Sequence, residues 1–207
     1  MHKIVFLLTC SLCWPIFRFL FRWQVSGLEN VPDGGAIIAP NHQSFWDIPL
    51  VGLALFNRRT HFMAKSELFQ NPLFGWFIRN LLAFPVKRGA PDRAAVRHAI
   101  DMLKQGDLVA IFPEGTRSKT GKLGAAEPGL SLIAAKAEVL VVPVAITGTR
   151  DIFSRNSLFP QVKVHFGRPV SLQELQPQCG KGRMDIGAEV MQKIEQLLRQ
   201  SAVNAEA

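Results

Sequence analysis

From residue 34 onward the chain alternates between two hydrophobic periods. Short apolar and β-branched runs at 36–39, 61–64, 84–87, 108–112, 139–146 and 162–166 have the length and make-up of buried strands. Between them, apolar positions recur every three or four residues. At 92–105 this spacing puts Ala95, Val96, Ala99, Ile100 and Leu103 on one helical face, with Gly106 to end it. Ile186, Val190, Ile194 and Leu197 mark a similar helix near the C-terminus. Strands alternating with helices predict an α/β fold: a mostly parallel central sheet flanked by helices on both faces. Such sheets carry their ligands beyond the C-terminal ends of the strands.

Two segments depart from this pattern. Residues 4–23 are almost continuously apolar and about as long as a bilayer crossing, which takes ~20 residues, yet they contain Pro15, Arg18 and Arg22. The expectation is an N-terminal apolar membrane-associating helix that enters one leaflet or lies in the interface. The arginines would snorkel, with Phe17, Phe19, Phe21 and Trp23 at headgroup depth. Lys3 before the apolar run also suits a signal peptide, but no A-x-A-like cleavage site follows. The chain thus divides into a membrane-associating segment, 1–26, and one globular domain, 27–207. In the second departure, at 71–84, Leu73, Phe74, Trp76, Phe77, Ile78, Leu81 and Leu82 spread over about two thirds of a helix circumference. The extra face would meet lipid or an acyl chain; a helix buried all round is the alternative.

Composition sharpens this reading. With 207 residues, 48% of them hydrophobic and only 19% charged, the chain can fill one core and still has apolar residues for a lipid surface. Its net charge of +8 suits anionic headgroups or an anionic substrate. Nucleic acid would attract the same charge, but the chain has no aromatic-basic strand motif and no helix-turn-helix signal. The basic excess after the apolar run places the domain on the cytoplasmic face of the membrane, peripheral, monotopic or single-pass. Cys10, Cys13 and Cys179 form no disulfide framework and point to a reducing compartment. The redox-like spacing of Cys10 and Cys13 falls inside the apolar run, where buried helix cysteines are the simpler reading.

The candidate chemistry lies in two short sequences after strands: NHQSFWD at 41–47 and FPEGTRS at 112–118. His42 and Asp47 are five residues apart, about 140° round an ideal helix, so they cannot pair on a regular helical face. If Asp47 caps a helix with Pro49 in its first turn, 42–46 form a loop that folds the imidazole back onto the carboxylate. That pairing would fix the tautomer and leave the other ring nitrogen as a general base. A bland alternative stands beside it, with Asp47 only a cap and His42 a satisfied loop histidine. In the second sequence Gly115 allows close backbone approach and Arg117 could grip a phosphate by two bonds. Arg88 and Lys65 also follow strands. Together the three cations suggest an anion site, although each alone fits a solvated surface charge equally well. Ser44 lacks the G-x-S-x-G elbow that a nucleophilic serine requires, and the five dispersed histidines offer no metal-binding spacing.

These blocks resemble those of the glycerolipid acyltransferase family, in particular its small bacterial 1-acylglycerol-3-phosphate acyltransferases. NHQSFWD is similar to the family's H-x4-D block, FPVKR at 84–88 to the second, FPEGTR at 112–117 to the third and VPVAI at 142–146 to the fourth. The likeness extends over about 27–169. It implies a glycerol-3-phosphate acyltransferase-like fold and transfer of a fatty acyl group from acyl-CoA or acyl carrier protein to lysophosphatidic acid, giving phosphatidic acid. No cofactor or metal beyond the acyl donor is implied. Carried over by residue, His42 would deprotonate the acceptor hydroxyl and Asp47 would orient it. Arg88, Glu114, Gly115, Thr116 and Arg117 would hold the phosphate, with Lys65 in support, and Pro143 would shape the pocket. The second block departs from the family in Pro85 and Lys87, which bears on acceptor preference: glycerol-3-phosphate, another lysophospholipid or an amino-acid lipid are the rival acceptors. A non-catalytic membrane-binding protein on the same fold is the further rival.

Overall fold

The computed structural model describes residues 2–87, 89, 92–154, 158–171 and 186–206. Cys179 lies outside them. Strands β1 (Gln24–Ser26), β2 (Ala36–Pro40), β3 (Thr60–Lys65), β4 (Ala83–Val86), β5 (Leu108–Ala110), β6 (Leu140–Thr147) and β7 (Lys163–Phe166) form one sheet in the order β1-β7-β6-β2-β5-β3-β4. All neighbours are parallel except the antiparallel pair β6 and β7. Helices α1 (His2–Pro15) and α2 (Asp47–Ala54) cover one face, while α4 (Arg93–Lys104), α5 (Pro128–Ala137) and α6 (Ile186–Glu206) cover the other. Helix α3 (Pro72–Asn80) packs beside α1 and β4. The mostly parallel sheet with helices on both faces follows from the two alternating periods.

Local signals set the helix ends. Asp92 caps α4 by accepting the Ala95 N–H at 3.0 Å, and Gly106 leaves the helix at φ +88°. Asn71 caps α3 by accepting the Phe74 N–H at 3.0 Å, with Pro72 at the first helical position. The helix expected over 71–84 is shorter than its apolar pattern. It stops at Asn80, Leu82 takes φ +63°, and Phe84 pairs with Met63 of β3. Sheet pairing has overridden helical periodicity there. Even so, Leu73, Phe74 and Trp76 stay exposed, as the breadth of the pattern predicts.

The N-terminal segment differs more from expectation. Pro15 supplies no N–H and crowds the preceding turn, and the helix widens into a π-type turn over Ile16–Leu20. That turn swings Phe17, Phe21 and Trp23 into the core, where they are 2%, 2% and 7% exposed. Of the four aromatics expected at headgroup depth, only Phe19 faces outward. The chain then enters the sheet directly as β1, whose Gln24, Val25 and Ser26 register with Lys163, Val164 and His165. No helix among the described residues is long and apolar enough to cross a membrane. Cys10 and Cys13 are half-buried, and burial pushes both thiols above their ordinary pKa.

Candidate active site

Strand β2 lies between β5 and β6, with every residue buried. The chain leaves β2 toward β3 on one side and returns from β5 to β6 on the other, so a crevice opens beyond the C-terminal end of β2. Asn41, fully buried, is the first residue past that end. Its side-chain amide donates to the Ile146 carbonyl at 3.0 Å and accepts the Ile146 N–H at 2.7 Å. The amide thereby extends the β2–β6 ladder beyond Pro40 and fixes where His42 begins.

His42 Nδ1 bonds Asp47 Oδ2 at 2.9 Å, with the histidine 5% exposed and the aspartate fully buried. The same oxygen accepts the N–H groups of Gln43 and Ser44, each at 2.7 Å. Three donors converging on one oxygen curl 42–44 around the carboxylate. The loop expected from the five-residue spacing is present, but Asp47 is the first residue of α2 and makes no side-chain cap. Its carboxylate turns back to accept the loop's donors instead of the N–H groups of the helix's first turn. An ionised carboxylate only accepts, so the Nδ1 proton points at Asp47 and the Nε2 lone pair is left free. No described residue bonds Nε2. The Phe112 ring stacks on the imidazole at 4.0 Å and 29°, blocking one face.

Glu114 links the two sequence blocks. Its Oε1 accepts the His42 N–H at 3.0 Å and its Oε2 the Gly124 N–H at 2.9 Å. The Ser118 N–H donates to the His42 carbonyl at 2.8 Å, so His42 is held through both sides of its backbone. Both Glu114 oxygens are thus engaged by N–H groups. Gly115 sits at φ +65°, the left-handed turn that sends 116–118 back toward His42. Thr116 and Arg117 are exposed, and their N–H groups have no acceptor among the described residues. The Arg117 guanidinium lies 3.7 Å from the centre of the Phe45 ring, which gives a flexible cation a flat platform.

The remaining expected residues do not all converge. Lys65 ends β3 but is engaged by Glu67 at 2.9 Å, and that ammonium holds the Glu67 carboxyl down to about 2. Arg88 lies outside the described residues. Pro143 is buried in mid-β6 opposite Ala39, with the Gly167 N–H donating to its carbonyl at 2.8 Å. It packs within the sheet and not on the crevice rim. Ser44 gives its N–H to Asp47 and its hydroxyl accepts the Trp46 N–H at 3.4 Å, with no bond to His42. Asn41, Phe45 and Phe112 escaped sequence reasoning, although each lies inside a block. A polar residue at the end of a fully apolar strand was the available signal for Asn41.

An aromatic wall adjoins the dyad. Trp46 meets Phe17 at 5.7 Å and Phe153 at 6.2 Å between ring centres, and Phe153 in turn meets Phe21 and Phe159. Phe45, Trp46, Phe153 and Phe159 keep large exposed surfaces.

Residues 22–147 match the acyltransferase family model. A 1-acyl-sn-glycerol-3-phosphate acyltransferase of Bacillus subtilis is 32% identical over 179 residues, covering 84% of this chain and 87% of that protein. A chloroplastic 1-acyl-sn-glycerol-3-phosphate acyltransferase of Arabidopsis thaliana is 33% identical over 174 residues, covering 80% of this chain; the chain spans only 48% of that relative's length. The crystal structure of the 1-acyl-sn-glycerophosphate acyltransferase of Thermotoga maritima superposes with a TM-score of 0.69 at 30% identity, covering all of this chain and 82% of the other.

Proposed function

The chain belongs to the acyltransferase family that includes the 1-acyl-sn-glycerol-3-phosphate acyltransferases, and from that premise we propose that it acylates the free hydroxyl of lysophosphatidic acid to give phosphatidic acid. The acyl donor is a thioester of coenzyme A or of acyl carrier protein. The observation that carries the mechanism is the 2.9 Å contact between His42 Nδ1 and Asp47 Oδ2, with Nε2 left unbonded. Nε2 takes the hydroxyl proton as the oxygen attacks the thioester carbonyl. The C–S bond then breaks, and the departing thiolate recovers the proton from the imidazolium. Asp47 stabilises that imidazolium and keeps the ring in the productive tautomer. A thioester is already activated, so general-base assistance worth ~10²–10⁴-fold suffices without a covalent acyl-enzyme.

Arg117, flattened on Phe45, offers two parallel donors to the acceptor phosphate, and the free N–H groups of Thr116 and Arg117 add to the same rim. Arg88 joins them on family resemblance. Glu114 acts through His42, and Lys65 is spent on Glu67. The wall of Trp46, Phe153 and Phe159 suits the acyl chain.

The protein works at a lipid surface. Helix α1 shows Ile4, Leu7, Leu8 and Leu12 outward, and neighbouring α3 shows Leu73, Phe74 and Trp76. Two adjacent apolar faces beside an active-site crevice fit monotopic docking on an anionic membrane, on its cytoplasmic side by the charge balance. The test is purified His42→Ala assayed with lysophosphatidic acid and both donors. A loss of at least about 100-fold in kcat with membrane binding intact is expected, whereas near-normal turnover would remove His42 from the chemistry.

A further inference from the structure

The sheet edge formed by β1 and β7 carries a groove of about 690 Å3 between the N-terminal segment and α6, with none of the crevice residues in its lining. Its lining includes donors from separate parts of the chain: Arg18 on the π-type turn, Trp23 just before β1, Ser26 on β1, Lys163 and His165 on β7, and Ser201 on α6. No carboxylate lines it among the described residues. Neither Arg18 nor Lys163 has a hydrogen-bond or ion-pair partner among the described residues. Trp23, 7% exposed, has an indole N–H that is buried with no acceptor. A buried donor without an acceptor is destabilising, and a ligand oxygen that reached it would relieve that cost. Ser26 Oγ lies 2.6 Å from His165 Nδ1. When that hydroxyl donates, the imidazole proton sits on Nε2 and the ring becomes a further donor. Lys163 and His165, two residues apart on one strand, share a face.

A groove rich in donors, with two unpaired cations and no acid among the described residues, favours an anion. Its position narrows the class. Arg18 is flanked by Ile16, Phe19 and Leu20, which are 40%, 73% and 47% exposed, so this cation stands where apolar surface meets water. We propose that this groove binds the phosphate of an anionic phospholipid headgroup, a second lipid site separate from the His42 crevice. It takes from the proposed function only that the protein meets a lipid surface, and its test reads binding alone.

The full chain is titrated by flotation against vesicles of phosphatidylcholine and of an equal mixture of phosphatidylcholine and phosphatidylglycerol. Arg18→Gln with Lys163→Gln should weaken binding to mixed vesicles at least about tenfold, leaving neutral vesicles and the detergent-solubilised acyl-transfer rate unchanged. Lys104→Gln with Lys136→Gln removes the same charge from exposed sites on α4 and α5 and should cost about twofold or less. Trp23→Phe, checked for folding by circular dichroism, should reproduce part of the loss. Equal losses in the two double variants would reduce the groove to general surface charge and overturn the proposal, as would no loss in the first. If inorganic phosphate binds through Lys163 while the protein does not distinguish the two vesicles, the ligand is a soluble anion and the lipid assignment falls. Failure to bind neutral vesicles would count against the apolar docking faces and not against the groove.

Discussion

Replacing Glu114 with Gln separates a positioning group from a phosphate ligand. The wild-type carboxylate spans two N–H donors, His42 at 3.0 Å and Gly124 at 2.9 Å. A glutamine of the same shape keeps one acceptor oxygen and sets an NH2 against the other donor, so one bond is lost and one contact becomes repulsive. Hydrogen bonds to charged groups contribute ~1.5–3 kcal/mol. Glu114 is half-buried and Gly124 exposed, which places the loss near ~1.5–2 kcal/mol. For a chain of this size that lowers Tm by roughly 3–8 °C. The larger effect is on rate, because His42 is hung from this bond and a displacement of about 1 Å costs on the order of 100-fold. The expected result is kcat reduced about 10- to 100-fold, with the KM for lysophosphatidic acid changed less than about threefold. Initial rates of thiol release against acceptor concentration, with calorimetry for Tm, measure both. An acceptor KM that falls several-fold with kcat intact would show instead that the carboxylate faces the phosphate and repels it, refuting the clamp.

Further outcomes follow from other contacts. Arg117→Lys keeps the charge but loses the two-pronged donor and the fit to Phe45, so acceptor KM should rise about tenfold with kcat little changed; equal KM values would place the phosphate elsewhere. Asn41→Ala strands both polar groups of Ile146 and should lower stability by ~2–4 kcal/mol in urea unfolding, reducing kcat as His42 loses its start point; an unchanged midpoint would deny the ladder extension. Buried His61, bonded to Asp107 at 3.0 Å, has its pKa lowered mainly by burial, against the pull of that carboxylate. The unfolded chain therefore binds the proton more readily. Stability should fall as pH drops below about 6.5, by at most ~1.4 kcal/mol per unit, and His61→Gln should flatten that slope.

What the sequence revealed was whatever is encoded locally. The β2, β3, β5 and β6 runs are buried on both faces and read as strands, and Asp92 with Gly106 marked the ends of α4. The His42 loop was legible because a five-residue spacing is incompatible with a helical face. What escaped depends on contacts between distant parts of the chain. Strand β1 is three residues long and exists only because β7 pairs with it. The shared role of Glu114 and the amide of Asn41 needs the β2, β5 and β6 ends side by side. Phe17, Phe21 and Trp23 look like a lipid-facing belt until the turn after Pro15 points them inward.

That inward turn has a consequence for how the protein is made. The aromatic segment and β1 find their sheet partner only when Lys163–Phe166 has been synthesised, on the far side of the intervening chain. Until then the core cluster that holds these three rings lacks its β7 members Val164 and Phe166. For the same reason removal of this segment would destabilise the fold, since losing a buried Phe or Trp costs ~3–5 kcal/mol against a total of ~5–15 kcal/mol. Exchanging the outward Ile4, Leu7, Leu8 and Leu12 for polar residues would erase the exposed apolar face of α1 and leave the buried rings in place.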